Sequence, residues 1–205
     1  MKFSSKSFEK RETANKVKAL EFTNKAFYLV EGGNYASAID LLKQAIKMDP
    51  SCGDAYNELA FIYGKIEGNL DVAEVYAQKA VECDPNNPKF YNAVNGIQLV
   101  RAKRFKTRRE IREIMRRKLQ EIQRNIDNNP SYPPAYLIKA VALALNGEPK
   151  NIWETELRRA EDLYLQHGIS GAGLPLTADL IKIIIARNYN QCLEMNTYWN
   201  NIPEG

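Results

Sequence analysis

Residues 45–50 read Ala-Ile-Lys-Met-Asp-Pro, and residues 80–85 read Ala-Val-Glu-Cys-Asp-Pro, 35 positions later. Each phrase closes a stretch that carries small residues at helical spacing. Before the first, Phe22, Ala26 and Leu29 share one helical face, and Ala38, Leu42 and Ala45 share another. Glu31-Gly32-Gly33-Asn34-Tyr35 between them reads as a turn. Pro50 cannot continue a helix, so the second helix stops just before it. The next unit repeats this order with Tyr56, Leu59, Ala60 and Tyr63, then Ala73, Ala77 and Ala80, then Pro85. Its turn, around Glu67-Gly68-Asn69, reads as one residue longer. Self-similarity at this period marks a stack of helix pairs, which moves the functional question from catalysis toward binding.

These residues resemble the tetratricopeptide repeat, whose pattern is W-x2-L-G-x2-Y…A-x3-F…P. Tyr56, Leu59, Ala60, Tyr63, Ala73, Ala80 and Pro85 fill its slots, and Ala77 stands where the pattern prefers an aromatic residue. Phe22, Ala26, Leu29, Ala38, Ala45 and Pro50 match as well, with Lys25 in the usual Leu slot. The two units span residues 19–86. The resemblance implies an all-α, right-handed α-solenoid of helix pairs whose role is to bind a peptide or protein segment.

The third unit breaks the period. Its apolar residues include Tyr91, Val94, Ile97 and Leu99, and the next helix stop of this kind, Asn129-Pro130, comes 45 residues after Pro85. An insertion of about three helical turns lengthens a helix without rotating its buried face. One elongated helix is therefore expected over residues 107–128, with Ile111, Ile114, Met115, Leu119, Ile122 and Ile126 as its apolar stripe. After Pro133-Pro134, Tyr136, Lys139, Ala140 and Leu143 echo Phe22, Lys25, Ala26 and Leu29, and Trp153, Leu157, Ala160 and Tyr164 supply a second helix. A glycine-rich loop follows, then Thr177 as the N-cap of a last helix over 178–196 that carries Leu180, Ile181, Ile183, Ile184 and Ile185 and caps the stack as buried core. The expected organisation is a polar segment at 1–16, its first dozen residues disordered, and one helical domain at 17–205. The domain comprises repeats at 19–52, 53–87, 88–130 and 133–167, a loop at 168–176 and a capping helix at 177–197.

Hydrophobic content of 44% against 26% charged residues describes a globular chain, not a disordered one. No run approaches the apolar length of a membrane span, and the start, Met1-Lys2-Phe3-Ser4-Ser5-Lys6, lacks the apolar core of a secretion signal. Cys52, Cys83 and Cys192 are odd in number and scattered, which points to free thiols in a reducing cytoplasm and not to a disulfide framework or a zinc site. No metal site, cofactor or catalytic set is expected. The single histidine, His167, precedes Gly168 at a helix end and reads as a C-terminal cap partner. Gly168, Gly171 and Gly173 lack the Lys-Ser/Thr of a phosphate loop.

Charge is uneven. Residues 101–118 hold ten Lys or Arg and two acids, a net +8, whereas the whole chain nets +4. On a helix Arg104, Arg108, Arg112 and Arg116 fall along one ridge, with Arg101 before it and Arg109 widening it. Glu113 is spaced to pair with Arg109 or Arg117, and Glu121 with Arg117. A ridge that keeps this much like-charge repulsion reads either as the solvated face of a lengthened helix or as a site for an anionic partner: an acidic protein segment, a nucleic acid or an anionic membrane surface. Phe105 alone is available there for base stacking.

The family resemblance implies a groove lined by the first helix of each pair. Its expected lining is Thr23, Asn24, Phe27 and Glu31, then Asn57, Glu58, Phe61 and Lys65, then Lys89, Asn92 and Gly96. Asn57 and Asn92 fall in equivalent slots, and an asparagine amide offers a donor and an acceptor to a peptide backbone. Phe27 and Phe61 are likewise equivalent. Members of the family that grip acidic chaperone C-termini use a clamp of Lys, Asn, Asn, Lys and Arg. Here Thr23, Phe27 and Glu58 occupy clamp positions, which argues against that ligand.

Overall fold

The computed structural model describes residues 3–102, 107–167 and 177–205, and the regular structure among them is helical throughout. In order the elements are α1 (Phe3–Glu31), α2 (Tyr35–Met48), α3 (Gly53–Phe61) with a π-helical turn at Ile62–Ile66, α4 (Leu70–Cys83), α5 (Pro88–Ala102), α6 (Arg108–Asn128), α7 (Pro133–Leu145), α8 (Lys150–His167) and α9 (Ala178–Asn201). The chain packs as two compact units, Met1–Ile97 and Gln98–Gly205, with the boundary inside α5.

In the first unit α1 pairs with α2 and α3 with α4. The interfaces are lined by alanine: Ala26, Ala38, Ala45, Ala55, Ala73, Ala77 and Ala80 are fully buried, with Leu42, Leu59 and Ile62 among them. The repeated Asp-Pro has a structural job. Asp49 and Asp84 are the C-caps of α2 and α4, and their N–H groups donate to the carbonyls of Ala45 (2.9 Å) and Ala80 (3.2 Å). Their carboxylates then accept from the N–H of Ser51 (3.0 Å) and Asn86 (3.1 Å), turning the chain two residues on. A second pair repeats at the same spacing. Asn34 and Asn69 are the N-caps of α2 and α4, accepting from Ser37 N (3.3 Å) and Val72 N (3.2 Å).

The extra residue of the second unit does not lengthen its turn. Gly32–Asn34 and Glu67–Asn69 are both three residues long, and the insertion is absorbed as the π-helical turn at the end of α3. That leaves the cap of α4 equivalent to the cap of α2. Residues 1–31 contain neither glycine nor proline, and α1 runs unbroken from Phe3. Lys16 pairs with Glu12 one turn back (3.0 Å), and the Thr13 hydroxyl donates to the Glu9 carbonyl (2.8 Å). In α5 Phe90, Val94 and Leu99 are buried, Ile97 is half-buried and Tyr91 is exposed.

The second unit is built on α7, which is buried on most sides and packs against α6, α8 and α9. Ile111, Met115, Ile122 and Ile126 of α6 are buried as the stripe requires, as are Trp153, Leu157, Ala160 and Tyr164 of α8. At 21 residues α6 exceeds α2 and α4 by seven, two turns of the surplus. Helix α9 outlasts its expected end at 196 because its core side chains continue through Cys192, Met195 and Trp199. Its isoleucine run is not buried as a block. Ile181 is core, Ile184 and Ile185 are half-buried and Ile183 is 63% exposed, because neighbouring residues on a helix diverge by about 100°. The expected glycine-rich loop and the His167–Gly168 cap involve residues 168–176, outside the described residues.

Two outcomes follow from this packing. Replacing Ala77 with leucine forces a branched side chain into the α3–α4 contact, and chemical denaturation should show a loss of about 1–3 kcal/mol with the helical signal retained. Burial pushes the Cys192 thiol up to about 12, so in thiol titration of the native chain Cys192 should stay unreactive until denaturant is added, whereas the partly exposed Cys52 and Cys83 react first.

Candidate functional site

Two regions carry the predicted site residues, one in each unit. In the first unit the first helices of the hairpins present Asn24 exposed and Phe27 half-buried, with Phe27 edge-on to Tyr28 at 6.2 Å. Tyr28 is 69% exposed, more than any predicted aromatic, and the sequence reading missed it. Phe61, equivalent to Phe27, is 45% exposed. Asn57 is buried, and its Oδ1 has no hydrogen-bond partner among the described residues. Asn92 is half-buried. Thr23 is also buried, its hydroxyl donating to the Ala19 carbonyl (2.9 Å), so it is a packing residue and not part of a lining.

Lys89 is not free to meet a ligand. Its Nζ lies 3.0 Å from Asp54 Oδ1 and 3.5 Å from Glu58 Oε1, tying α5 to α3. Burial alone would lower its pKa, but Asp54 and Glu58 outweigh that and hold the ammonium above its usual value. The structure thus joins Glu58 and Lys89 directly, with Asp54 as the second carboxylate on the same ammonium. The signal for Asp54 was its place one turn before Glu58 on the same face. No hydrogen bond, ion pair or ring contact among the described residues links Asn24, Phe27, Phe61 or Asn92 to that cluster.

In the second unit the basic ridge is divided. Thr107 and Glu110 form a capping box at the start of α6, with Glu110 N donating to Thr107 Oγ1 (3.3 Å) and Thr107 N donating to Glu110 Oε2 (3.1 Å). Arg108 and Arg112 hold Glu204 between them, at 2.8 Å to Oε1 and 2.9 Å to Oε2. Arg108 also donates from Nε to the Trp199 carbonyl (3.0 Å) and from Nη2 to the Asn200 carbonyl (3.1 Å). Both guanidiniums lie over the Trp199 ring, at 5.5 and 5.0 Å from its centroid. The backbone N–H groups of Arg108 and Arg109 donate to the carbonyls of Pro203 (2.8 Å) and Glu204 (3.1 Å).

Arg109 and Arg116 are exposed with no ion pair among the described residues, and Arg101 is half-buried at the end of α5. Arg104 and Phe105 lie outside the described residues. Glu121 pairs with Lys118 instead of Arg117. Sequence reasoning missed Trp199 and Glu204, because a pairing more than 90 residues apart leaves no local pattern. The one signal was an acid just beyond Pro203, the first proline after α9.

The geometry defines an all-α solenoid of helix pairs. The profile described as Tetratricopeptide repeat matches residues 24–88. A 66-residue stretch is 41% identical to the Small glutamine-rich tetratricopeptide repeat-containing protein 2 of Mycosarcoma maydis, covering 32% of this chain and 18% of that relative's length. Among solved structures, a thermophilic tetratricopeptide-repeat protein of Thermus thermophilus superposes over 89% of this chain and 97% of its own, with a TM-score of 0.61 at 20% identity. A mutant O-GlcNAc transferase of Thermobaculum terrenum matches 77% of this chain and 27% of its own, with a TM-score of 0.55 at 15% identity. Residues 24–88 therefore match the tetratricopeptide-repeat family. Proteins of this kind generally mediate protein–protein interaction. Among the described residues no helix is long and apolar enough to cross a membrane, and no group of three His, Cys, Asp or Glu side chains is placed to hold a metal.

The Glu204 clamp has a pH signature. Hydrogen bonding to Arg108, joined by Arg112, holds the Glu204 carboxyl below its ordinary value of 4.5. The clamp is therefore complete above that value and is lost as pH falls through the lowered one. An NMR titration of the Trp199 indole should show a transition with its midpoint below 4.5, absent in Glu204→Gln.

Proposed function

We propose that this chain is a non-enzymatic scaffold or adaptor that holds a protein segment against the first helices of its repeats. The observation that carries this reading is the pair Phe27 and Phe61. They occupy equivalent positions on consecutive first helices, Phe61 is 45% exposed, and the neighbouring Tyr28 is 69% exposed. The half-buried Phe27 beside the exposed Tyr28 on one first helix, and the exposed Phe61 on the next, offer rings that suit successive side chains of one bound segment. The charges on the same first helices bear on its chemistry. Two carboxylates, Asp54 and Glu58, surround one ammonium, Lys89. An acidic segment would meet net repulsion there, so the favoured ligand is apolar and neutral or basic. Three free thiols fit a reducing compartment such as the cytoplasm. The nucleic-acid reading of residues 101–118 is weakened, because Arg108 and Arg112 are already committed to Glu204 and Trp199.

The test compares tagged wild type with a Phe27→Ala, Phe61→Ala double variant by affinity purification and quantitative mass spectrometry, with a nuclease-treated arm. Loss of two rings that a bound segment covers should weaken groove partners by about tenfold or more while the thermal melt stays close to wild type. Unchanged recovery in the double variant rejects the groove, and recovery lost only after nuclease supports nucleic acid.

A further inference from the structure

The start of α6 holds an extended stretch of its own chain, residues 203–205. A helix begins with unpaired N–H groups, and the capping box satisfies two of them, those of Thr107 and Glu110. The two between them, on Arg108 and Arg109, donate to successive carbonyls of an extended segment, Pro203 and Glu204. The acidic side chain of that segment lies between two guanidiniums that rest on the Trp199 ring. Trp199 is 6% exposed and so gives the arginines a fixed floor. After the acid comes Gly205, where a Cβ would stand 2.7 Å from that of Thr107, so only a residue without a side chain fits. Backbone carbonyls, one carboxylate and a following glycine together make a recognition pattern for an acidic peptide. The rim is basic as well, with Arg109, Arg116 and Arg117 exposed and without an ion pair among the described residues.

The occupant is held at the surface. The Glu204 side chain is 58% exposed and that of Arg112 55%, and exposed ion pairs are weak and exchangeable. We infer that this cradle of Arg108, Arg112, Trp199 and the first turn of α6 binds a short acidic segment of a partner protein, and that residues 203–204 fill it as an internal competitor. The cradle lies within residues 98–205, whereas Phe27 and Phe61 belong to residues 1–97, and it takes a ligand of the opposite charge.

The test uses the full chain and a fluorescein-labelled peptide, Glu-Ile-Pro-Glu-Gly, read by fluorescence anisotropy. Glu204→Gln removes the competing charge at an exposed position and should tighten probe binding by about three- to fivefold over wild type. Gly205→Val, which displaces the internal segment by crowding Thr107, should give a similar gain. Adding Arg112→Gln to Glu204→Gln should abolish the gain, and Phe27→Ala with Phe61→Ala should leave it intact. Equal affinity for wild type and both competitor variants overturns the proposal, as does a gain that survives Arg112→Gln. Tighter binding of oligothymidine than of the peptide to Glu204→Gln overturns the partner class in favour of nucleic acid. Thermal melts of each variant separate lost binding from lost fold.

Discussion

Close approach of paired helices is the constraint on which the first unit rests. Two helices can come within about 8 Å only where the side chains between them are short. Ala26, Ala38, Ala45, Ala73, Ala77 and Ala80 meet that condition, and all are fully buried. The caps protect it. Asp49 and Asp84 end α2 and α4 at the same point relative to those alanines, and Asn34 and Asn69 start them at the same point. Length and register are thereby copied from one hairpin to the next. The extra residue of the second unit sits in a π-helical turn, which leaves both caps in register.

The second unit solves a different problem. Helix α7 is too apolar to face water on any side, so it is covered by three neighbours instead of one. Trp199 joins the last of these to the rest. Gly147, in a left-handed conformation after α7 (φ 81°), leaves room for the indole, since a Cβ there would come within 2.1 Å of the Trp199 Nε1. The ring also carries Arg108 and Arg112. One side chain therefore ties the end of α9 to the α7 turn and to the start of α6, and it brings the acid of Glu204 to the most basic part of the chain.

The expected division of function between a groove and a ridge changes character in this light. Of the expected lining, Asn57 is buried and Asn92 half-buried, whereas Phe61 is exposed, as is Tyr28 on the preceding first helix. Lys89 serves to join α3 and α5. On the ridge, repulsion among like charges is relieved within the molecule by a single carboxylate shared between two arginines. As proposed, the two surfaces take ligands of opposite charge.

The hairpins, their period and most of the buried faces were legible in the sequence because they depend on interactions between residues within about one repeat. Small residues at helical offsets, Asp-Pro stops and the apolar stripe from Ile111 to Ile126 are local signals, and the structure uses each as written. Other features were decided by tertiary structure. Which of Ile181, Ile183, Ile184 and Ile185 is core depends on where α7 lies, and composition cannot say. That Lys89 is paired depends on α5 meeting α3. That Arg108 and Arg112 bind Glu204 depends on α9 running on to Trp199 and bending back at Pro203. A residue's chance of being charged, apolar or a helix stop is local, but whether a charge is free or already answered is a property of the folded surface.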